Sequence, residues 1–332
     1  MNAYAGRTIL VTGGRGYVGA ALTQALAGVP CVLILLDRSP RDAWRPAPGR
    51  AEVAIRTGDV AEREAWDGAL AGVDWVFHLA GTEYDRRADA DPLADWRSNA
   101  LPIVHLLEAC RRGGHRPRIV FTSSVNVVGS AGALPVNEDR REAPLIAWSA
   151  HKLLAEHYLR IYTQRHGIAS RVLRLSNVYG PTPRAAAQTR AALNRMAADA
   201  IAGRPVRLYR NAGCLRDYVF IDDVVEALLA AGSSADAWDG RPYIVGSGVA
   251  TTIADAAGVI ARAVRERTGV PVQVQRDPGA SGSMDAFEMR SFVADIARLQ
   301  AATGWTPRVP FDRGVAATVD ALLASQPAGD LS

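Results

Sequence analysis

Lysine is almost absent from this chain. Lys + Arg total 38, yet Lys152 is the single lysine and all the other basic residues are arginine. The arginines are spread along the whole length, with no run longer than the pairs that begin at Arg86, Arg111 and Arg140. That excludes the continuous basic stripe of a nucleic-acid-binding surface, while the net charge of +4 suits an anionic small molecule. Cysteine is scarce as well: Cys31, Cys110 and Cys214 are an odd number with neither C-x-x-C nor metal-ligand spacing. A disulfide framework and a thiolate metal centre are excluded, no metal is expected, and a reduced, cytoplasmic setting follows. Long apolar runs are missing too. The longest, "CVLILL", is far short of a membrane span, and the opening "MNAYAGRTILVTGG" lacks the pattern of a signal peptide, so no membrane association is expected. No internal repeat or low-complexity tract is visible.

What is present is an alternation. Short segments rich in Val, Ile and Leu ("RTILVTG", "CVLILLD", "AEVAIRTGD", "DWVFHLAG", "RIVFTSS", "SRVLRLSNVYG") are separated by helical stretches such as "VGAALTQALAG", "LPIVHLLEACRRGG" and "SAHKLLAEHYLRIYTQRHG". Strands without a polar face, alternating with helices, predict an α/β fold: a Rossmann-type doubly wound parallel sheet covered on both sides. After Pro181 the rhythm changes to one or more helices over "PRAAAQTRAALNRMAADAIAG", two short strands around a turn in "RPVRLYRNAGCLRDYVF", and a helix with an acidic first turn at "IDDVVEALLAAG". A further helix, a β-like "VPVQVQ" and a closing helix after "TPRVPFDRG" complete the chain.

Gly13, Gly16 and Gly19 follow the first strand and open a helix, with Tyr17 and Val18 between the last two. Glycine suits a tight turn where backbone must approach a pyrophosphate and the anion rests on free helix N–H groups. The next strand ends in Asp37, whose carboxylate can accept from adenosine ribose hydroxyls and would repel a 2′-phosphate. NAD is therefore favoured over NADP, with Arg38 beside Asp37 acting against that preference.

The GxxGxxG spacing, "GDV" at 58–60, "HLAG" at 78–81, Asn99, "FTSS" at 121–124, Lys152, "NVYGP" at 177–181 and "RDYVFIDD" at 216–223 together resemble the extended short-chain dehydrogenase/reductases. These are the NAD-dependent epimerase/dehydratase family, acting largely on nucleotide sugars. The resemblance covers nearly the whole chain. It implies that Asp59 and Val60 flank the adenine, that Leu79, Ala80 and Gly81 line the cofactor, and that Asn99 belongs to the same site. It also implies an NAD-binding domain over 1–178, with 215–248 returning to it, and a substrate-binding domain from 179–214 and 249–332. A homodimer through helices around 94–112 and 149–166 is a further implication. The closing segment "MRSFVADIARLQAATGWTPRVPFDRGV" is similar to that of deoxysugar 4-ketoreductases of specialised metabolism.

In the family that this chain resembles, a Ser, a Tyr and a Lys act together. The Tyr exchanges a proton with the sugar oxygen while hydride passes to or from the nicotinamide, and the Lys, four residues on, holds the ribose. Ser124 matches the Ser, with Ser123 beside it, and Lys152 matches the Lys. The residue four before Lys152 is Trp148, whose indole N–H donates but does not ionise near neutral pH, so it cannot serve as acid or base. Glu83, Tyr84 and His151 are the candidate replacements, and Trp148 offers a flat wall to the substrate. Asn126 and Val125 stand where sugar 4,6-dehydratases carry an Asp-Glu pair, which argues against that reaction. Arg216 resembles the family's arginine toward the substrate phosphate, whereas a second arginine has no clear match near Asp285. Asn177 of "NVYGP" is a further substrate-side candidate, Tyr179 in the same motif is expected to pack or to line the substrate entrance rather than to react, and His78 is expected to pack within its strand. Three functions stay open: an NAD-dependent epimerase or oxidoreductase on a nucleotide-sugar or sugar-like substrate with a proton donor other than Tyr; a non-redox isomerase, lyase or cyclase using NAD structurally or electrostatically; and a catalytically silent nucleotide-binding module.

Overall fold

The computed structural model describes residues 2–38, 44–83, 87–277 and 286–325. Its principal elements in chain order are β1 (Thr8–Thr12), α1 (Tyr17–Ala27), β2 (Val32–Asp37), β3 (Glu52–Thr57), β4 (Trp75–His78), α2 (Pro92–Asn99), α3 (Leu101–Gly113), β5 (Arg118–Ser124), α4 (Ala147–His166), β6 (Ser170–Leu175), α5 (Ala192–Ile201), α6 (Ile221–Ser233), β7 (Asp239–Val245), α7 (Ile253–Thr268) and α8 (Phe311–Ala324). Among the described residues, β1 to β7 form one sheet in the order 7-6-5-4-1-2-3, with every neighbouring pair parallel. This is the doubly wound fold. Alternate residues of one strand feed opposite layers: Ile9, Val11, Leu33 and Leu35 pack in one apolar cluster, and Leu10, Ile34 and Leu36 in the other. The inner strands β1, β4 and β5, buried on both faces, have no use for a polar face and read as continuous apolar runs. The edge strand β3, also expected to lack a polar face, instead alternates half-buried Val53 and Ile55 with exposed Glu52, Ala54 and Arg56.

The order reverses between β1 and β4, so the chain leaves the carboxyl ends of these adjacent strands in opposite directions and opens a crevice there. Gly13 follows β1 and Leu79 follows β4 at that crevice. On α4 the residues Trp148, Lys152, Ala155, Glu156 and Leu159 are buried on one face, as spacings of three and four require.

The second half differs from its local pattern. The two short strands read around a turn are three, and none pairs with another of the three: Val206–Leu208 lies parallel to Val274–Arg276, Leu215–Arg216 antiparallel to Thr251–Thr252, and Tyr218–Phe220 parallel to Asn177–Tyr179. Each partner is distant in sequence, so hydrophobic alternation alone does not reveal it. Asp217, fully buried between two of these strands, accepts from the backbone N–H groups of Ser247 (2.7 Å), Gly248 (2.9 Å) and Ala294 (3.0 Å). It ties three loops together. Asp217→Ala leaves those donors unpaired in the interior and is expected to cost about 3 kcal/mol, read as a lower denaturation midpoint in urea.

Candidate active site

Two adjoining cavities occupy the crevice. The first, ≈ 300 Å³, is walled by Gly13, Arg15, Gly16, Asp37, Arg38, Asp59, Val60, Leu79, Ala80, Gly81 and Thr82, among others. The second, ≈ 340 Å³, shares Gly13, Gly16, Leu79, Gly81 and Thr82 with it and adds Tyr17, Val18, Gly19, Glu83, Ser123, Ser124, Asn126, Trp148, Lys152 and Asn177. Asp37, Arg38, Asp59, Val60 and Ala80, expected at the nucleotide, line the first cavity alone. Tyr17, Val18, Gly19 and Lys152, also expected at the cofactor, line the second together with the substrate-side Ser123, Asn126, Trp148 and Asn177.

The glycines set the width. Gly13 has φ +66°, and a Cβ there would stand 2.7 Å from the Ala80 nitrogen; one on Gly19 would stand 2.0 Å from the Gly13 carbonyl oxygen. At Gly13 and Gly19 the turn after β1 thus has no room for a side chain, which lets backbone rather than side chains line the crevice there. Gly81, at φ +159°, leaves a gap between Asn99 and Lys152: a Cβ there would stand 2.7 Å from Asn99 Oδ1 and 3.3 Å from Lys152 Nζ. Asn99 Oδ1 is buried without a hydrogen-bond partner, although Asn99 Nδ2 donates to Thr82 Oγ1 (2.7 Å) and Asp95 Oδ1 (2.9 Å). At the far end Asp37 closes β2, and Asp59 turns its loop by accepting from the Ala61 N–H at 2.9 Å. Trp66 Nε1 donates to the Val60 carbonyl at 3.0 Å, fixing that backbone.

Lys152 is 6% exposed; Nζ donates to the Thr122 carbonyl at 3.2 Å and stands 5.0 Å from the Phe121 ring centroid and 5.9 Å from that of Trp148. Burial lowers its pKa to about 8, while Asp95 and Glu156 pull the other way. His78, against Thr12 Oγ1 at 2.9 Å, is pushed down to about 3 by burial and by Lys152, so its imidazole is neutral. The two serines part company. Ser123 Oγ donates to Glu156, which also grips Arg174, whereas Ser124 Oγ accepts from the Asn126 N–H at 3.2 Å and keeps its own proton for the cavity.

Trp148, 8% exposed, donates from Nε1 to the Thr82 carbonyl oxygen at 2.8 Å, so the indole proton is already committed. Glu83 lines the second cavity 3.5 Å from Arg190, with its side chain 52% exposed. Tyr84, and Asp285 with it, lie outside the described residues. Four expected site residues among those described line neither cavity: Asn99, whose contacts are given above, His151, Tyr179 and Arg216. His151 faces Asp95, its Nδ1 2.7 Å from Oδ2, because it sits one position round the helix from Lys152. Tyr179 is 1% exposed, donates to the Phe311 carbonyl at 3.2 Å and packs edge-on to Phe220 and Phe311, a core residue. Arg216 donates to the carbonyls of Leu215, Arg290 and Glu288, beneath the strand that carries it.

Sequence reasoning missed Thr82, Asp95, Arg184, Arg190 and Arg290. Arg184 and Arg190 line the first cavity, Arg184 donating to the Arg15 carbonyl at 2.7 Å, and Arg290 donates to Asn126 Oδ1. Arg290 stands in "MRSFVAD", before the final "AD" but five residues beyond Asp285, which is why a search centred on Asp285 passes over it.

A doubly wound sheet with a glycine-walled crevice at its switch point and an acidic residue ending β2 defines a dinucleotide-binding enzyme fold. Residues 9–246 match the model of the NAD dependent epimerase/dehydratase family. The UDP-glucose 4-epimerase of Mycolicibacterium smegmatis is 30% identical over 317 residues, 94% of this chain and 97% of that one. Among solved structures, epimerase Mth375 of Methanothermobacter thermautotrophicus superposes with a TM-score of 0.85 at 26% identity, over 97% of this chain and 94% of that one. Thermus thermophilus UDP-glucose 4-epimerase in complex with NAD gives 0.80 at 30% identity, over 96% of this chain and all (100%) of that one. The chain belongs to the NAD-dependent epimerase/dehydratase family and is an enzyme of it, with NAD as cofactor. The residues present fit that group: a turn that a Cβ would fill, an unpartnered buried Asn99 Oδ1, and a buried ammonium beside it.

Proposed function

We propose that this protein is a sugar-nucleotide epimerase that carries its proton on a residue other than tyrosine. The observation that carries the reading is the adjacency of the two cavities: the crevice lined by Asp37 and the glycine turn shares Gly13, Gly16, Leu79, Gly81, Thr82 and Arg190 with the chamber lined by Lys152, Ser124 and Asn177. Full-length similarity to UDP-glucose 4-epimerases supports the choice of a uridine diphosphate sugar. When bound, NAD supplies reversible two-electron oxidation of a sugar carbon. Asp37 would accept from the adenosine ribose, the Gly13–Gly19 turn would admit the diphosphate, and Lys152 Nζ with Asn99 Oδ1 would hold the second ribose. Ser124 Oγ orients the reacting sugar oxygen, and the Trp148 ring gives the sugar a flat apolar wall. We also infer a homodimer through α2 to α4, to be checked by light scattering. The test is incubation of purified protein with NAD and UDP-glucose or UDP-galactose, with the products separated; interconversion supports the reading, and its absence with both sugars counts against it.

One observation favours a second reading. Because the Trp148 N–H is committed to Thr82, this position provides no proton, which suits a non-redox isomerase, lyase or cyclase that needs NAD only as a structural or electrostatic element. Product formation with no rate change on deuterating the oxidisable carbon would select it. Under the first reading, Trp148→Tyr restores an ionisable hydroxyl four residues before Lys152, and kcat for UDP-glucose is expected to rise about tenfold in a coupled assay.

A further inference from the structure

We propose that the proton lost and regained by the sugar hydroxyl is handled by Asp95, reached through the hydroxyl of Thr82 and held in place by His151; this rests on the epimerase reading above. Among the described residues lining the second cavity, the ionisable side chains are Tyr17, Glu83, Lys152 and Arg190. Tyr17 donates its hydroxyl to the Gly180 carbonyl at 2.7 Å, and Glu83 is exposed and paired with Arg190. A different route leads out of the cavity through Thr82. This residue lines both cavities where they meet, and Trp148 pins its backbone by donating to its carbonyl. Thr82 Oγ1 donates to Asp95 Oδ1 at 3.2 Å and accepts from Asn99 Nδ2 at 2.7 Å.

Asp95 is 5% exposed and lines neither cavity, so Thr82 is its link to the substrate space. Its other oxygen, Oδ2, lies 2.7 Å from His151 Nδ1, and beside a carboxylate the Nδ1–H tautomer, which donates, is favoured. The chain Thr82–Asp95–His151 is thus continuous from the cavity to a ring that is 16% exposed. A hydroxyl both donates and accepts, so it can take a proton on a lone pair as it releases its own.

The step balances. The substrate O–H bond breaks as an O–H bond forms on Thr82 Oγ1, and the proton Thr82 already carried passes to Asp95 Oδ1, neutralising a buried charge. The sugar C–H bond would break with its hydrogen and both electrons leaving together as hydride, for which oxidised NAD would be the acceptor, so that the protein groups carry only the O–H proton. Reprotonation of the sugar oxygen runs both transfers backward and returns every group to its starting state. His151 is a positioning residue throughout.

The test uses the full chain with NAD and UDP-glucose. Thr82→Val and Asp95→Asn are expected to lower kcat about 100-fold with KM for UDP-glucose and calorimetric Kd for NAD within about threefold, Thr82→Ser to restore kcat to within about threefold, and His151→Gln to cost about tenfold. Histidine-selective ¹⁵N NMR supplies a readout apart from turnover: a downfield imidazole N–H signal absent in His151→Gln should be lost in Asp95→Ala and kept in Thr82→Val, showing the latter folded. Wild-type rates in Thr82→Val or Asp95→Asn, or a 100-fold loss at unchanged KM in Glu83→Gln, overturn the relay alone. No turnover of UDP-glucose by the wild-type protein overturns the epimerase reading and the relay with it.

Discussion

Replacing Lys152 with methionine is expected to lower kcat/KM for a sugar nucleotide by about 10³-fold, roughly 4 kcal/mol of transition-state stabilisation. Methionine keeps the length and apolar body of the stem, so the effect reports the ammonium. Among the described residues that ammonium has one hydrogen-bond acceptor, the Thr122 carbonyl, and it stands beside the unpartnered Asn99 Oδ1 across the gap left by Gly81. Its remaining protons are available to a ligand hydroxyl. Arginine fills every other basic position, yet its planar five-donor fork does not fit a site shaped around a compact charge that is 6% exposed. Lys152→Arg should therefore fail nearly as badly as Lys152→Met, and comparing the two variants by steady-state kinetics with NAD titrated in each separates lost charge from lost shape.

The same substitution has an opposite effect on stability, and its sign follows from the pKa. Burial lowers Lys152 from 10.5 to about 8. At pH 7 both folded and unfolded chains carry the proton there, and the folded state bears the full cost of a buried charge, about 3 kcal/mol. Between pH 8 and 10.5 the unfolded chain binds more protons at this group than the folded one, so its contribution to stability rises with pH across that window. Without ligand, Lys152→Met is expected to be more stable than wild type at pH 7, with the gap closing as pH rises toward 10. Urea denaturation of both proteins at a series of pH values measures it. A buried charge that costs more than its one hydrogen bond to the Thr122 carbonyl and its contact with the Phe121 ring return is kept for binding or chemistry.

How much of this was legible in the sequence depends on where the determinants lie. The glycine turn, Asp37, "GDV" and "HLAG" each sit in consecutive residues at a strand's carboxyl end, so local spacing places them together once the sheet is parallel. Lys152 and Trp148 share a face because a helix brings i and i+4 together. By contrast, the Thr82–Asp95–His151 chain joins the loop after β4, α2 and α4, and no periodicity along the chain indicates that three such segments converge. Arg216 falls outside the cavities for a related reason, and Tyr179 takes the packing role that was one of its two expected roles. Each belongs to a polar-looking motif, but their short strands turn the side chains toward Phe311 and toward the carbonyls of 288 and 290, partners supplied by the last part of the chain. His151 carries the right chemistry, but at one residue's rotation from the face that meets the cavity.

The other large effect is expected from Gly19→Ala, which should weaken NAD binding by about 10³-fold, close to 4 kcal/mol. Gly19 lies in the first turn of α1 with buried surroundings, and its φ is ordinary, so alanine costs nothing in backbone conformation and would help an isolated helix. The obstacle is contact. A Cβ would sit 2.0 Å from the Gly13 carbonyl oxygen, with Gly13 carbon at 2.9 Å and Gly14 Cα at 3.0 Å, all backbone atoms of the turn that leads from β1 into the helix. Relief requires the turn to move away from α1. It cannot move toward β4, because Gly13 already lies so close to Ala80 that its own Cβ would meet that backbone at 2.7 Å. The helix and turn must therefore part beside the crevice that Gly13, Gly16 and Gly19 line, where a displaced backbone would no longer meet a pyrophosphate resting on the helix N-terminus. Overpacking of this kind costs about 1–3 kcal/mol in folding, so the variant should still fold, with a modestly lowered melting temperature by circular dichroism and little response to added NAD. Wild-type NAD affinity in Gly19→Ala by titration calorimetry would show that this turn does not face the pyrophosphate.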